Sequence, residues 1–99
     1  MGPTINSEGL KVRTKRFALM VIQLFRIVQP SPEGRIITRQ LLRSATSVAA
    51  NYRAVCRSRS KPDIVSKLGI VLEEADESFF WLELLVDSRV LQPDKVHPC

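Results

Sequence analysis

The stretch QLLRSATSVAANYRA, residues 40–54, decides the fold of this chain. Its apolar and small residues recur at alternating steps of four and three, which places them on one face of an α-helix. This spacing favours the shallow helix crossing found in bundles. The residues on this line are Leu41, Ala45, Val48, Tyr52 and, just beyond the stretch, Val55. The stretch therefore predicts one helix of a bundle, packed closely against its neighbours through small residues, with its arginines facing away from the core.

Two breaks separate this helix from the rest of the chain. Residues 29–34 contain two prolines and a glycine, and proline both removes a backbone donor and restricts the residue before it. In residues 57–63, Ser60 is placed to cap a new helix and Asp63 completes a Ser-x-x-Asp capping box. The breaks predict three helices, at about residues 11–29, 36–58 and 61–88.

The other two helices repeat the same period, and no alternating strand pattern competes with it. Residues 17–28 are apolar on nearly every side, so we expect the first helix to be largely enclosed. The third helix carries a second apolar line one step beyond its core line, which predicts packing against two neighbours. This second line consists of Val65, Leu72, Phe79 and Val86. The sequence therefore predicts an all-α fold, a bundle in which the three helices run up, down and up.

The end of the third helix needs more cover than two partner helices can give. Aliphatic and aromatic side chains point to every side there, among them Phe80, Trp81 and Leu84. Residues 93–95 resemble the first turn of another helix, but few residues follow. We therefore expect that a fourth helix is truncated or missing, or that another copy covers this surface. The expected organisation is an irregular tail at 1–10, a helical bundle at 11–91 and a second tail at 92–99.

Composition limits the classes of function. The chain has 99 residues, of which 44% are apolar, and its two cysteines fit a reducing, cytoplasmic compartment. No segment has the features of a membrane span or a lipid anchor. Residues 1–61 carry twelve Lys or Arg against two Glu, whereas residues 62–99 carry three against eight Asp or Glu. This uneven charge predicts either affinity for a polyanion or pairing between the two halves, within a subunit or between copies.

Linked motifs resemble a known family. The matching residues are the run from Gln40 to Asn51 and the later positions Ser60, Asp63, Lys67, Glu74-Ala75, Glu77 and 81–85. In these residues the chain is similar to the bacterial four-helix-bundle proteins encoded in intervening sequences of 23S ribosomal RNA genes. The resemblance implies a non-enzymatic, antiparallel up-and-down four-helix bundle, here with three long helices and the fourth helix truncated or missing. Members of the family assemble into rings, commonly pentamers. It also implies kinship with the accessory protein of diversity-generating retroelements, which binds nucleic acid and a reverse transcriptase. Arg53 stands where many members have glutamate, which makes this surface more basic.

The residue types disfavour catalysis and metal binding. His97 is the only histidine and has no neighbouring acid or base, while Cys56 has apolar neighbours at helical spacing. The carboxylates near Glu74 and Glu77 lack the histidine partners of bundle metal centres, so we expect these two residues to flank the helix seam and pair with arginines. We expect no enzyme activity, no cofactor, no metal and no small-molecule substrate.

Two surfaces remain as candidate sites. The arginines of the second helix lie fourteen residues apart on two adjacent outward lines and form a basic stripe. The candidate nucleic-acid residues are Arg39, Arg43, Arg53, Arg57, Arg59 and Lys61. The candidate interface residues on the third helix are Glu73, Asp76, Phe80, Trp81, Glu83 and Leu84. The basic stripe either binds RNA or DNA or meets the acidic face of a neighbouring copy in a head-to-tail ring, and both uses can coexist.

Overall fold

The computed structural model describes residues 7–28 and 31–90. These residues form three α-helices and no strand, which confirms the all-α prediction. The helices are α1 (Ser7–Ile27), α2 (Pro32–Cys56) and α3 (Lys61–Asp87). None of these helices is long and apolar enough to cross a membrane. The predicted helix start at residues 93–95 and the tail at 92–99 lie outside the described residues.

The helix starts follow their capping residues. The Ser60 side chain accepts a hydrogen bond from the Asp63 amide at 3.2 Å, which confirms the predicted cap of α3. Ser31 caps α2 in the same way, accepting from the Gly34 amide at 2.9 Å, with Pro32 in the first turn. The predicted start of the second helix at residue 36 was therefore wrong, because the proline run that ends α1 also begins α2.

The start of α1 was also placed too late. This helix begins at Ser7, so residues 7–10 are helical and do not belong to an irregular tail. At the far end of the described chain, Arg89 has a left-handed backbone with φ of 64° and turns the chain after α3. Through this turn Val90 packs back against the hydrophobic core.

Contacts between helices show that neighbours run antiparallel. Ser44 in the middle of α2 faces Ser78 in α3, and Ser58 just after α2 bonds Asp63 at the start of α3. The Cys56 thiol, at the end of α2, lies 3.9 Å from the Ser7 carbonyl oxygen at the start of α1. The predicted up-and-down order is therefore present for the three helices. Because α2 packs against both others, it is the central element.

The core lies where the spacing of α2 predicts. Leu41, Ala45, Val48 and Tyr52 are all buried, which confirms the core line read from residues 40–54. A cluster of buried residues from all three helices forms its centre: Val21, Ile37, Leu41, Ala45 and Leu85. The core is small, since α1 contributes only Ala18 and Val21 as buried residues.

The predicted enclosure of α1 is wrong, and the second apolar line of α3 lies open in the described part of the chain. The first helix is not largely enclosed, because Leu19, Met20, Phe25 and Ile27 are exposed. On α3, the second apolar line is not packed against a neighbour within the described residues, and Leu72 is 70% exposed. The exposed residues of this line, here called the α3 apolar line, are Val65, Leu72, Phe79 and Val86.

Candidate assembly and nucleic-acid surfaces

The predicted interface on α3 divides into two parts. Glu73, Asp76 and Glu83 are exposed, and Phe80 is 53% exposed beside them. Trp81 and Leu84 are only half-exposed, because they pack against the core cluster of this same chain. Trp81 and Leu84 therefore have partial cover from their own chain, and Phe80 with its acidic neighbours is the more exposed part of the candidate docking surface.

Trp81 is fixed in place by polar and aromatic contacts. Its indole Nε1 donates a hydrogen bond to Glu77 Oε2 at 3.0 Å. The Phe80 ring meets the Trp81 ring edge to face, with centroids 4.9 Å apart and an interplanar angle of 66°. Phe80 is therefore an exposed aromatic side chain supported by a neighbour that is anchored to the core.

Arg43 joins α2 to α3 through two carboxylates. Its guanidinium bonds Glu74 Oε2 at 3.1 Å and also pairs with Glu77 Oε2. The prediction that Glu74 and Glu77 flank the seam and pair with arginine is confirmed. Arg43 does not lie on an outward stripe, since its guanidinium is already held between two acids at the helix seam. It is therefore a poor candidate for binding phosphate.

The electrostatics of this network follow from its hydrogen bonds. The donors Trp81 Nε1 and the Arg43 guanidinium stabilise the ionised carboxylate and lower the pKa of Glu77. The Glu77 carboxylate in turn raises the pKa of Arg43. Both residues are therefore held in their charged forms.

The other predicted basic residues are exposed. Arg39, Arg53, Arg57, Arg59 and Lys61 make no ion pair with any residue that the structure describes. They are not brought together as one stripe, however. Arg53, Arg57, Arg59 and Lys61 lie at the α2–α3 turn, whereas Arg39 lies near the other end of α2.

Sequence reasoning missed the basic residues of α1. Arg13, Lys15 and Arg16 are exposed in the first half of α1. Because α1 and α2 are antiparallel, this half lies beside the last turns of α2, the part of that helix that carries Arg53. Their charge was visible in the sequence, but their place beside the second helix depends on how the two helices pack.

Lys67 closes a small polar network at the start of α3. Its ammonium group bonds Asp63 Oδ2 at 2.8 Å and Ser58 Oγ at 3.2 Å, and the Ser58 hydroxyl bonds Asp63 at 2.7 Å. The donors Lys67 and Ser58 lower the pKa of Asp63. This network ties the α2–α3 turn to the first turn of α3 and so positions the basic residues around it.

The described residues contain no group of three or more histidine, cysteine, aspartate or glutamate side chains arranged to hold a metal ion. Cys56 is half-buried, and its thiol points to the Ser7 carbonyl. His97 lies outside the described residues. The candidate functional groups are therefore surface charges and apolar side chains.

Comparison with known proteins agrees with this class of small, all-helical bundle protein. The chain belongs to the 23S rRNA-intervening sequence protein family, whose model matches residues 10–99. It is also similar to the crystal structure of a protein of unknown function of the S23 ribosomal protein family from Bacteroides thetaiotaomicron VPI-5482. That similarity has a TM-score of 0.80 and 30% sequence identity, and it covers 92% of this chain and 81% of the other. No curated protein matches the chain.

Proposed function

We propose that the protein is a non-enzymatic assembly module of the cytoplasm that forms a homo-oligomeric ring. The observation that carries this proposal is the exposed apolar and aromatic surface of α3. Phe80 and the α3 apolar line leave large apolar side chains in water, and contiguous surfaces of this kind mark interaction sites. The family resemblance implies a pentamer.

Oppositely charged faces on α2 and α3 favour head-to-tail contacts in the proposed ring. The outer side of α2 carries Arg39, Arg53 and Arg57, which have no ion pair among the described residues, and the outer side of α3 carries Glu73, Asp76 and Glu83. When one chain carries both complementary faces on different helices, copies bind head to tail, and the contacts close into a ring if the rotation permits. Phe80 lies within the acidic face and serves as its aromatic anchor.

A charge swap tests this contact. Mass in solution is measured by light scattering and native mass spectrometry for Glu73→Arg/Asp76→Arg/Glu83→Arg, for Arg39→Glu/Arg53→Glu/Arg57→Glu, and for an equimolar mixture of the two variants. We expect each variant alone to lose the oligomer. In the mixture the two variants should bind each other and give heteromeric rings of even subunit number or open chains, because two variants cannot alternate around a five-membered ring. The control Arg13→Glu/Lys15→Glu/Arg16→Glu reverses three charges on α1 and should keep the oligomer. A folded wild-type monomer at micromolar concentration would exclude the proposal.

The second candidate function is nucleic-acid binding, alone or beside a reverse transcriptase as the resemblance to the retroelement accessory protein implies. It is favoured by the exposed basic residues that have no carboxylate partner among the described residues, Arg39, Arg53, Arg57, Arg59 and Lys61. The test is binding of the wild-type chain to RNA and DNA over a range of salt concentrations. Absence of binding even at low salt would end this candidate.

A further inference from the structure

Positive charge is concentrated at one end of the bundle. This end, here called the basic end, consists of the start of α1, the end of α2 and the α2–α3 turn with the start of α3. The antiparallel packing brings these segments together, as the contacts of Cys56 with Ser7 and of Ser58 with Asp63 show. The cations there are Lys11, Arg13, Lys15, Arg16, Arg53, Arg57, Arg59, Lys61 and Lys67.

The acids at the basic end are already paired. Among the described residues only Glu8 and Asp63 lie there, and they pair with Lys11 at 3.1 Å and Lys67 at 2.8 Å. The remaining cations are exposed and have no carboxylate partner in the described part of the chain. They are Arg13, Lys15, Arg16, Arg53, Arg57, Arg59 and Lys61.

The rest of the described chain, from the middle of the bundle to its other end, has the reverse balance. The acids there outnumber the basic residues, and two of them hold Arg43. These acids are Glu33, Glu73, Glu74, Asp76, Glu77, Glu83 and Asp87, against Arg26, Arg35, Arg39, Arg43 and Arg89. A chain polarised in this way steers a polyanion to the basic end and repels it from the other.

The residue types at the basic end favour a particular kind of polyanion. Most of the unpaired cations are arginines, whose planar guanidinium groups bind phosphate oxygens in pairs. Binding of single strands relies on exposed aromatic rings for stacking, but Tyr52 is buried here and Phe17 packs against the core. The phosphate backbone of a double helix needs no such rings.

We propose that the basic end binds the phosphate backbone of double-stranded nucleic acid without reading its sequence, and that Arg13, Lys15 and Arg16 of α1 belong to this site. The proposal rests on the second candidate function and gives it a location and a ligand class. It removes Arg43 and Arg39 from the predicted stripe, because Arg43 is held by α3 carboxylates and Arg39 lies towards the acidic end.

The test compares two triple variants with equal loss of charge. Arg13→Gln/Lys15→Gln/Arg16→Gln changes the basic end, and Arg26→Gln/Arg35→Gln/Arg89→Gln changes exposed residues elsewhere. Glutamine preserves helix propensity, so both variants should keep the wild-type circular dichroism spectrum. Binding to a short RNA duplex, the DNA duplex of the same sequence and an unstructured single strand is measured by fluorescence anisotropy at several salt concentrations.

We expect the basic-end variant to bind duplex more weakly by roughly 10- to 100-fold near physiological salt, and to show a shallower salt dependence, because each lost phosphate contact lowers the slope by about 0.9. The control variant should bind within about twofold of wild type, since its arginines lie outside the site. Comparing the RNA duplex with the DNA duplex shows which of the two the wild-type chain binds more tightly. The single strand should bind more weakly than either duplex.

Several results would overturn the proposal. Equal affinity of the two variants for duplex would place the site elsewhere while leaving nucleic-acid binding itself intact. Tighter binding of wild type to single strands than to duplex would contradict the ligand class. Binding to phosphatidylserine vesicles with no binding to duplex would show that the basic end serves a membrane surface. If wild type bound no nucleic acid at low salt, the second candidate function would fall as well, while the ring proposal would still depend only on mass in solution.

Discussion

Ser44 and Ser78 face each other across the α2–α3 seam, with hydroxyl oxygens 2.8 Å apart and exposures of 0% and 1%. Ser44 also bonds the Leu41 carbonyl, and Ser78 bonds the Glu74 carbonyl, so each hydroxyl has an acceptor within its own helix. Small side chains with satisfied hydroxyls let the two helices approach closely here without an unpaired polar group. The stability of the α2–α3 seam at this position therefore depends more on the small size of the two side chains than on the strength of the hydrogen bond between them.

This relationship predicts opposite sensitivities at Ser44. Ser44→Ala should lower the free energy of unfolding by at most about 1 kcal/mol, because Ser78 can still donate to the Glu74 carbonyl. Ser44→Leu should lower it by about 1–3 kcal/mol, because Ser44 is completely buried at the helix seam and the larger side chain would overpack it. Urea denaturation followed by circular dichroism measures both values. An alanine variant less stable than the leucine variant would show that the hydrogen bond dominates.

Leu41 and Leu85 should be the most costly residues to truncate. Both are almost fully buried in the central cluster, so Leu41→Ala or Leu85→Ala should cost about 2–5 kcal/mol. Leu72→Ala is the matched control, because Leu72 is exposed in the chain and should cost less than about 0.5 kcal/mol when the protein is monomeric. Equal losses at Leu41 and Leu72 would mean that α3 packs differently.

The ion pair between Arg43 and Glu77 should contribute modestly to stability. The Arg43 side chain is 49% exposed and that of Glu77 is 35% exposed, so solvent screens their attraction. A double-mutant cycle with Arg43→Ala and Glu77→Gln should give a coupling energy below about 1 kcal/mol, falling further at high salt. A coupling that is large and insensitive to salt would contradict this reading of an exposed pair.

Acid should weaken the fold through Glu77. Hydrogen bonds from Trp81 and Arg43 lower the pKa of Glu77 in the folded chain, so the unfolded chain binds more protons as pH falls. The resulting stabilisation is complete above the ordinary glutamate pKa of about 4.3 and is lost as pH falls through it towards the lower folded value. Asp63 contributes in the same direction, with its pKa lowered by Lys67 and Ser58.

Glu77→Gln should therefore flatten the loss of stability between roughly pH 5 and pH 3. Urea unfolding repeated across this range gives the slope directly. Glu83→Gln is the control, since Glu83 is exposed and has no ion pair among the described residues. If the unfolding free energy of Glu77→Gln changed with pH as steeply as that of wild type, Glu77 would have the same pKa in the folded and unfolded chain, which would contradict the prediction.

The sequence alone determined the helices and the central core line. The step of four and three in residues 40–54 identified Leu41, Ala45, Val48 and Tyr52 as core residues, and all four are buried. Ser60 and Asp63 located the start of α3, because a capping signal is contained in a few neighbouring residues. The pairing of Glu74 and Glu77 with an arginine was also predictable from their position beside the core line.

Only the tertiary structure decided what each remaining face meets. The same periodicity that placed Arg43 outward cannot tell that the side chain reaches back to two carboxylates on α3. It placed Trp81 on an open surface, although the indole packs against the core and bonds Glu77. The sequence gives the number of charged residues in α1, but only the antiparallel packing shows that they lie beside the end of α2. Spacing fixes the direction of a side chain about its own helix axis, whereas the neighbour that lies in that direction depends on the register between helices.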